Sequence, residues 1–206
     1  SSILGIEWET TTDTLALKPV VIKNDCSTKR QFLATLAGIY DPLGFQTPLT
    51  CKGKMIMQKL WANTFGWDSK IPDDIQQEIK GWISCTSQNL RFPRHWGKLN
   101  TINIFCDASE DAFAAVAYGA SDGSMGPVSH IMMAKSRVKP LKSMTIPRME
   151  LQGAVLAANM AEFISQQLGQ QKYKFWTDSA VTLGWIKSES SKYKVFVGNR
   201  VKLIQD

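Results

Sequence analysis

The 206-residue sequence contains no apolar run that approaches the roughly 20 residues needed to span a bilayer. Its start lacks the basic, apolar and small-residue segments of a signal peptide. Its four cysteines form no Cys-x-x-Cys pair, so a zinc knuckle and a disulfide framework are both poorly supported, and a reducing intracellular compartment is favoured. The first residue is Ser1 rather than Met, and we therefore expect a segment of a longer protein.

The composition is that of a globular protein. Hydrophobic residues make up 44% and charged residues 20% of the chain, which excludes the disordered and fibrous classes. With 24 basic and 18 acidic residues the net charge is +6, which is compatible with a polyanionic partner, although many ordinary proteins are as basic. The length fits one large domain or two small ones.

The beginning of the chain has the pattern of a β-hairpin. Ile6 and Trp8 alternate with polar residues, and Leu15 and Leu17 do the same after a polar turn. We therefore predict two paired strands within residues 1–26.

Residues 27–92 show the periodicity of helices. Ser27 or Thr28 can cap a first helix, and the proline in Asp41-Pro42-Leu43-Gly44 breaks it. A second helix is predicted from Leu49 to Phe65, and Pro72 marks the start of a third. The simplest interpretation of the apolar stripes of these helices is core packing.

Around residue 100 the hydrophobic period changes from 3.6 to 2, and we place a domain boundary near Asn100. Strands are predicted near 102–107, 112–118, 128–134 and 173–177, and helices at 149–168 and 179–186. This order predicts an α/β layer built on a mixed sheet.

Three carboxylates of the second half lie where an ordinary fold would not require them. Asp107 lies in the middle of an apolar strand, Glu150 lies in the first turn of the long helix, and Asp178 ends an aromatic strand. Desolvating a carboxylate is costly unless a positive group compensates, and a hard divalent cation does so well. Taken singly, Asp178 could be a helix cap and Glu150 a partner of the helix dipole. The three together indicate a metal site.

At this point the sequence resembles a known family. The second half is similar to ribonuclease H domains, and the whole chain resembles the polymerase region of BEL/Pao-type retrotransposons. The matching segments are Leu4-Gly5-Ile6-Glu7-Trp8, Thr28-Lys29-Arg30, Tyr40-Asp41-Pro42-Leu43-Gly44, Phe105-Cys106-Asp107-Ala108-Ser109, Ala134-Lys135-Ser136-Arg137-Val138, Ile146-Pro147-Arg148-Met149-Glu150-Leu151, Trp176-Thr177-Asp178-Ser179 and Phe196-Val197-Gly198-Asn199-Arg200-Val201.

The resemblance implies three parts of an α/β (α+β) chain. Residues 1–26 would be the end of a reverse transcriptase palm, 27–100 a helical thumb or connection, and 101–206 a ribonuclease H-like domain with a mixed sheet. In the family a fourth carboxylate lies on a later helix, beyond a fifth strand. The chain ends at Asp206, so we expect it to be truncated before that strand and helix.

The implied function is metal-dependent endonucleolytic hydrolysis of RNA in RNA–DNA hybrids. Asp107 would bridge two Mg²⁺ or Mn²⁺ ions, Asp178 would hold the ion on the side of the nucleophile, and Glu150 the other. The implied partners are the hybrid and the remainder of the reverse transcriptase polyprotein, with no membrane, in cytoplasmic virus-like particles or the nucleus. The residues expected to contact nucleic acid are Lys135, Arg137, Lys139, Lys142, Arg148, Ser179, Asn199 and Arg200.

Other interpretations stay open at this point. Basic runs such as 135–148 are often solvated faces, and only their position beside the acids favours a nucleic-acid role. A competing function is a non-catalytic nucleic-acid-binding connection or scaffold module, and a third is a domesticated host protein that kept the fold. The family has also carried the name of a peptidase, but the chain has no Asp-Thr-Gly or Asp-Ser-Gly loop, and we expect no such activity.

Overall fold

The computed structural model describes residues 2–3, 6–17, 20, 22, 25–87, 90–123 and 126–206. The chain divides into two compact units, Ser1–His95 and Trp96–Asp206. Each unit has its own sheet and its own hydrophobic core. Within the described residues, no helix is both long and apolar enough to cross a membrane. Part of the predicted first motif, Leu4-Gly5, lies outside the described residues.

The first unit contains a small antiparallel sheet of four strands in sequential order. Its strands are β1 (Ser2–Ile3), β2 (Ile6–Glu9), β3 (Thr14–Leu17) and β4 (Arg91–Pro93). The hairpin predicted from alternation is β2 and β3, whereas β4 was not predicted. Asp13 closes the turn with a positive φ of 48° and accepts hydrogen bonds from the Arg94 guanidinium at 2.6 and 3.1 Å. This ion pair joins Arg94, the residue after β4, to the hairpin turn.

Three helices form the core of the first unit. They are α1 (Lys29–Ala37), α2 (Thr47–Ala62) and α3 (Asp73–Ser84). Thr28 and Gln31 form a capping box before α1. Asp41 accepts hydrogen bonds from the backbone N–H groups of Phe45 (2.8 Å) and Gln46 (2.7 Å), so the predicted break also organises the entry to α2. The large side chains at the centre are Phe32, Ile56, Leu60, Ile71 and Ile79.

The second unit is built on a mixed sheet with strand order β7-β6-β5-β8. Its strands are β5 (Leu99–Ala108), β6 (Ala112–Gly123), β7 (Gly126–Val138) and β8 (Tyr173–Trp176). Its helices are α4 (Ile146–Leu168), α5 (Ala180–Ile186) and α6 (Val195–Gln205). The predicted mixed sheet with helices is confirmed, and α6 is an addition to the prediction.

The long helix α4 packs against one face of this sheet. Ile102, Ile104 and Cys106 of β5 are buried on that face, as period-2 alternation requires. A Cβ atom on Gly153 would lie 3.3 Å from the carbonyl oxygen of Asp107, which is tighter than most real contacts. The absent side chain therefore lets the first turns of α4 lie directly on the carboxyl end of β5.

The ends of several strands and the start of one helix meet at the edge of the sheet that contains the carboxyl end of β5. Strands β5 and β8 run parallel, so both carboxyl ends lie there. Because β6 is antiparallel to β5, and β7 to β6, the start of β6 and the end of β7 lie there too. The beginning of α4 joins them through Gly153. Residues far apart in sequence are thus brought to one place.

Candidate metal centre

Three carboxylates meet at this edge of the second unit. Asp107, Glu150 and Asp178 each offer an oxygen, and these three atoms lie within 4.8 Å of one another. They come from the end of β5, from α4 and from the residues just after β8. The structure therefore brings together the three acids singled out in the sequence.

Asp107 is the penultimate residue of β5 and not a mid-strand residue as predicted. Its side chain is exposed, and its Oδ1 accepts a hydrogen bond from the backbone N–H of Ala108 at 2.7 Å. Asp178 is exposed as well. The expectation that these carboxylates are desolvated by an apolar strand was therefore wrong for both, since the strand ends beside them and leaves their oxygens accessible.

The proposed capping role of Asp178 is excluded by its neighbour. The N-cap of α5 is Ser179, whose Oγ accepts a hydrogen bond from the N–H of Thr182 at 3.2 Å. Ser179 Oγ also donates to the Thr182 hydroxyl at 3.0 Å. The carboxylate of Asp178 is thus left to face the other two acids.

Glu150 is the buried member of the group. The helix begins at Ile146, with Pro147 in its first turn, so Glu150 lies in the second turn and not in the first as predicted. It is 8% exposed, and its Oε2 has no hydrogen-bond partner. Burial, together with the negative charges of Asp107 and Asp178, raises the pKa of Glu150 above its ordinary value.

These observations fit a divalent cation. Three carboxylates within 4.8 Å of one another repel. In the part of the chain that the structure describes, no cationic side chain forms an ion pair with any of them. A cation among them would remove the repulsion and give the unpaired Glu150 oxygen a partner. Ligands that are all oxygen favour Mg²⁺ or Mn²⁺ over zinc.

The neighbouring thiol is not part of this ligand set. Cys106 is buried on the opposite face of β5, towards α4. Burial raises the pKa of its thiol to about 11, and the three nearby carboxylates act in the same direction. Because only a thiolate is a good metal ligand, Cys106 stays a core residue.

The residues predicted to contact nucleic acid fall into three groups. Lys135 and Arg137 are exposed on the last part of β7, which ends at the same edge as the carboxylates. Lys139 and Lys142 lie in the connection to α4, where the backbone N–H of Lys139 donates a hydrogen bond to the backbone carbonyl of Asp111 at 2.7 Å. The others are Arg148 on α4, the cap Ser179, and Asn199 and Arg200 on α6.

Sequence reasoning missed Phe196. Its ring lies 4.9 Å from the Arg148 guanidinium carbon and 3.6 Å from that of Arg200. The i, i+4 spacing of Phe196 and Arg200 would have indicated their contact if α6 had been predicted. The approach of Arg148 depends on the packing of α4 against α6, which no local pattern encodes.

Comparison with solved structures gives the same fold. The chain matches a foamy viral protease-reverse transcriptase solved in complex with an RNA/DNA hybrid, with a TM-score of 0.61, 11% identity and 99% of this chain covered. It matches a second such structure, in complex with dsDNA, with a TM-score of 0.53, 12% identity and again 99% coverage. The chain spans 27% of the first protein and 42% of the second.

No curated protein matches the sequence. A family model described as the Pao retrotransposon-like RNaseH-like domain matches residues 28–179. That span contains all three clustered carboxylates and most of the chain. The chain therefore belongs to the Pao retrotransposon-like RNaseH-like domain family.

Proposed function

We propose that this chain supplies the metal-binding carboxylates of a ribonuclease H that cuts the RNA strand of RNA–DNA hybrids during reverse transcription. The observation that carries the proposal is the meeting of Asp107, Glu150 and Asp178 within 4.8 Å, with one Glu150 oxygen buried and unpaired. Membership of the family and the shared fold support it.

The different exposure of the three acids suggests how each would contribute to metal binding. Two divalent ions supply an activated water and neutralise charge at the leaving oxygen of a phosphodiester. Asp107 and Asp178, being exposed, would hold the ions where a phosphate can reach them. Glu150 would hold an ion from the helix side, where its carboxylate is buried.

The hybrid would be held by the basic residues around this edge. The end of β7 carries Lys135 and Arg137, and the connection to α4 adds Lys139 and Lys142. Such residues supply affinity for phosphates without reading sequence. The RNA strand would be distinguished by its 2′-hydroxyl groups.

The first unit would serve the polymerase. We propose that residues 1–26 end the palm and that 27–100 form a thumb or connection, joined to the ribonuclease H-like part 101–206. The partners would be the nucleic acid and the remaining polyprotein, in virus-like particles.

Replacing Asp107 with Asn tests the proposal. This change keeps the side-chain shape and removes one negative charge, so Mn²⁺ binding should weaken at least tenfold and Mn²⁺-dependent cutting of an RNA–DNA hybrid should be lost. Mn²⁺ binding is measured by titration calorimetry and cutting on a labelled hybrid. Glu162→Gln, on the exposed side of α4, is the matched control because it loses the same charge away from the site.

The outcomes separate the competing functions. Unchanged Mn²⁺ affinity in Asp107→Asn would contradict the metal-site proposal. Hybrid binding by a chain that neither binds Mn²⁺ nor cuts RNA would instead favour the non-catalytic connection or scaffold module.

A further inference from the structure

Two stacked aromatic rings lie next to the carboxylates, on the face of the sheet opposite α4. Phe105 of β5 and Trp176 of β8 are directly paired across the two strands. The centres of their rings are 5.9 Å apart, and the ring planes differ by 12°. Asp107 follows Phe105 by two residues, and Asp178 follows Trp176 by two. Each of the two acids is therefore preceded, at the same spacing, by one ring of the stack.

This aromatic pair occupies the last paired position of the two strands before the metal centre. The pairing of β5 with β8 ends at Phe105 and Trp176, and both acids lie beyond it. The ladder of backbone hydrogen bonds therefore does not itself fix the distance between Asp107 and Asp178. The stack of the two side chains joins the strands at the point from which both acids project.

Neighbouring side chains hold the two rings in place. The indole N–H of Trp176 donates a hydrogen bond to the side-chain oxygen of Asn103 at 3.1 Å. Tyr118 of β6 meets Phe105 edge to face, with ring centres 6.0 Å apart. Aromatic pairs in such arrangements contribute more than the area that they bury. Contacts from β5 and β6 thus fix the stack against the sheet.

The two rings are not core residues. Phe105 is 42% and Trp176 49% exposed. Hydrophobic stabilisation grows with the apolar area removed from water, so each ring contributes less of it than a buried ring would. Replacing either residue should therefore leave the chain folded, and an effect on the carboxylates can be measured separately from an effect on the fold.

We propose that the stack of Phe105 and Trp176 sets the spacing between the carboxylates of Asp107 and Asp178, and through it the affinity of the metal centre. Both aromatic residues are positioning residues, because neither offers a metal ligand. A site keeps its ligands within roughly 0.5 Å of the productive geometry only when the supporting side chains are themselves held. The inference rests on the proposed function for its ion, but the spacing of the two acids can be measured without metal.

Crystal structures of the full 206-residue chain without metal measure the spacing. Phe105→Leu and Trp176→Leu each remove one ring of the stack. Because the acids repel one another, the carboxyl carbons of Asp107 and Asp178 should then move apart by more than roughly 0.5 Å. Trp176→Phe keeps a ring for stacking and should keep the spacing. Phe175→Leu is the matched control, because it removes a similarly exposed ring of β8 from the opposite face.

Titration calorimetry with Mn²⁺ measures the consequence for binding. Each leucine variant of the stack should weaken Mn²⁺ binding by roughly 2- to 10-fold, the range that an aromatic pair contributes. The double variant Phe105→Leu/Trp176→Leu should bind no more weakly than either single variant, because the loss of one ring already breaks the stack. Thermal unfolding checks that each variant is folded, and Phe105→Leu keeps the test valid if Trp176→Leu is not.

The outcomes separate this inference from the proposed function. A wider spacing and weaker Mn²⁺ binding in both leucine variants of the stack, with neither change in Phe175→Leu, supports the inference. A wider spacing in a chain that binds no Mn²⁺ even as wild type would contradict the metal centre but support the role of the stack in spacing the acids. An unchanged spacing, or a wider spacing with unchanged Mn²⁺ affinity, would overturn the inference even if Asp107→Asn loses Mn²⁺ binding. Equal losses in Phe175→Leu would overturn it too.

Discussion

Glu78 in the first unit and Glu150 in the second are both shielded from water but have opposite surroundings. Glu78 accepts hydrogen bonds from the ammonium groups of Lys52 and Lys59, each at 2.8 Å. Burial alone would raise the pKa of Glu78, but the two lysines outweigh it and hold the pKa below its ordinary value. Glu150 instead faces two further acids, and its pKa is raised.

This difference in surroundings indicates that Glu78 stabilises the fold, whereas Glu150 destabilises it. Glu78 is compensated within its own unit, where it joins α2 to α3. Glu150 gathers with acids that repel it, and one of its oxygens has no partner. A group held at such a cost is a candidate for function, because selection for stability alone would remove it.

The largest expected effect is metal-dependent stabilisation of the second unit. Mn²⁺ at one hundred times its dissociation constant should raise the free energy of unfolding by about 2.7 kcal/mol. Glu150→Gln should lose this gain, because one of the three ligands is gone, whereas Glu78→Gln should keep it. Thermal unfolding with and without Mn²⁺ measures both, and an equal gain in Glu150→Gln would remove Glu150 from the site.

Without metal, the same two substitutions should act with opposite signs. Glu150→Gln relieves repulsion from Asp107 and Asp178 and should stabilise the chain, whereas Glu78→Gln leaves two lysines without their acid and should destabilise it. We expect each change to be on the order of 1 kcal/mol. Urea unfolding in buffer with a chelator measures them. Destabilisation by Glu150→Gln would mean that its carboxylate is compensated and that the contrast with Glu78 is false.

Two helical glycines, one in each unit, also differ in their surroundings, and we expect a smaller effect from replacing them. Gly81 in α3 has open space around it, so Gly81→Ala should stabilise by about 0.5–1 kcal/mol through helix propensity. A methyl group on Gly153 would meet the Asp107 carbonyl oxygen at 3.3 Å, and backbone cannot move aside easily. Gly153→Ala should therefore lose that gain and weaken Mn²⁺ binding by shifting Glu150. A gain equal to that of Gly81→Ala would show that the close packing does not position the site.

Much of the fold follows from local signals in the sequence. The cap at Thr28 and Pro72 mark helix starts that the structure reproduces closely. The alternation of apolar and polar residues predicted β5, because buried side chains recur at every second position of that strand. The ends of the strands were less well located, and Asp107 was therefore expected to be more deeply enclosed than it is.

The parts that could not be predicted depend on contacts between distant residues. Strand β4 pairs with β3 across more than seventy residues, and its three residues carry no strand pattern of their own. Helix α6 was not predicted, because Gly198 weakens the helical signal of its segment. A Cβ on Gly198 would approach the Ser190 carbonyl to 2.9 Å, so the glycine serves packing that no local pattern encodes. The contact of Arg148 with Phe196 was missed for the same reason.

The smallest expected effect is the pH dependence that Glu78 contributes. Because its folded pKa lies below the unfolded value of about 4.3, its contribution to stability is complete above that pH and is lost as the pH falls through the folded pKa. The two lysines are about half exposed, so solvent screens them and the contribution should stay below about 1 kcal/mol. Urea unfolding between pH 3 and about 6 measures it as the difference between the wild-type chain and Glu78→Gln, with Glu162→Gln as a control for acids in general. The difference should shrink towards low pH, where Glu78 is protonated and resembles Gln. A difference that is constant with pH would show that Glu78 acts through packing and that its lysines contribute nothing by charge.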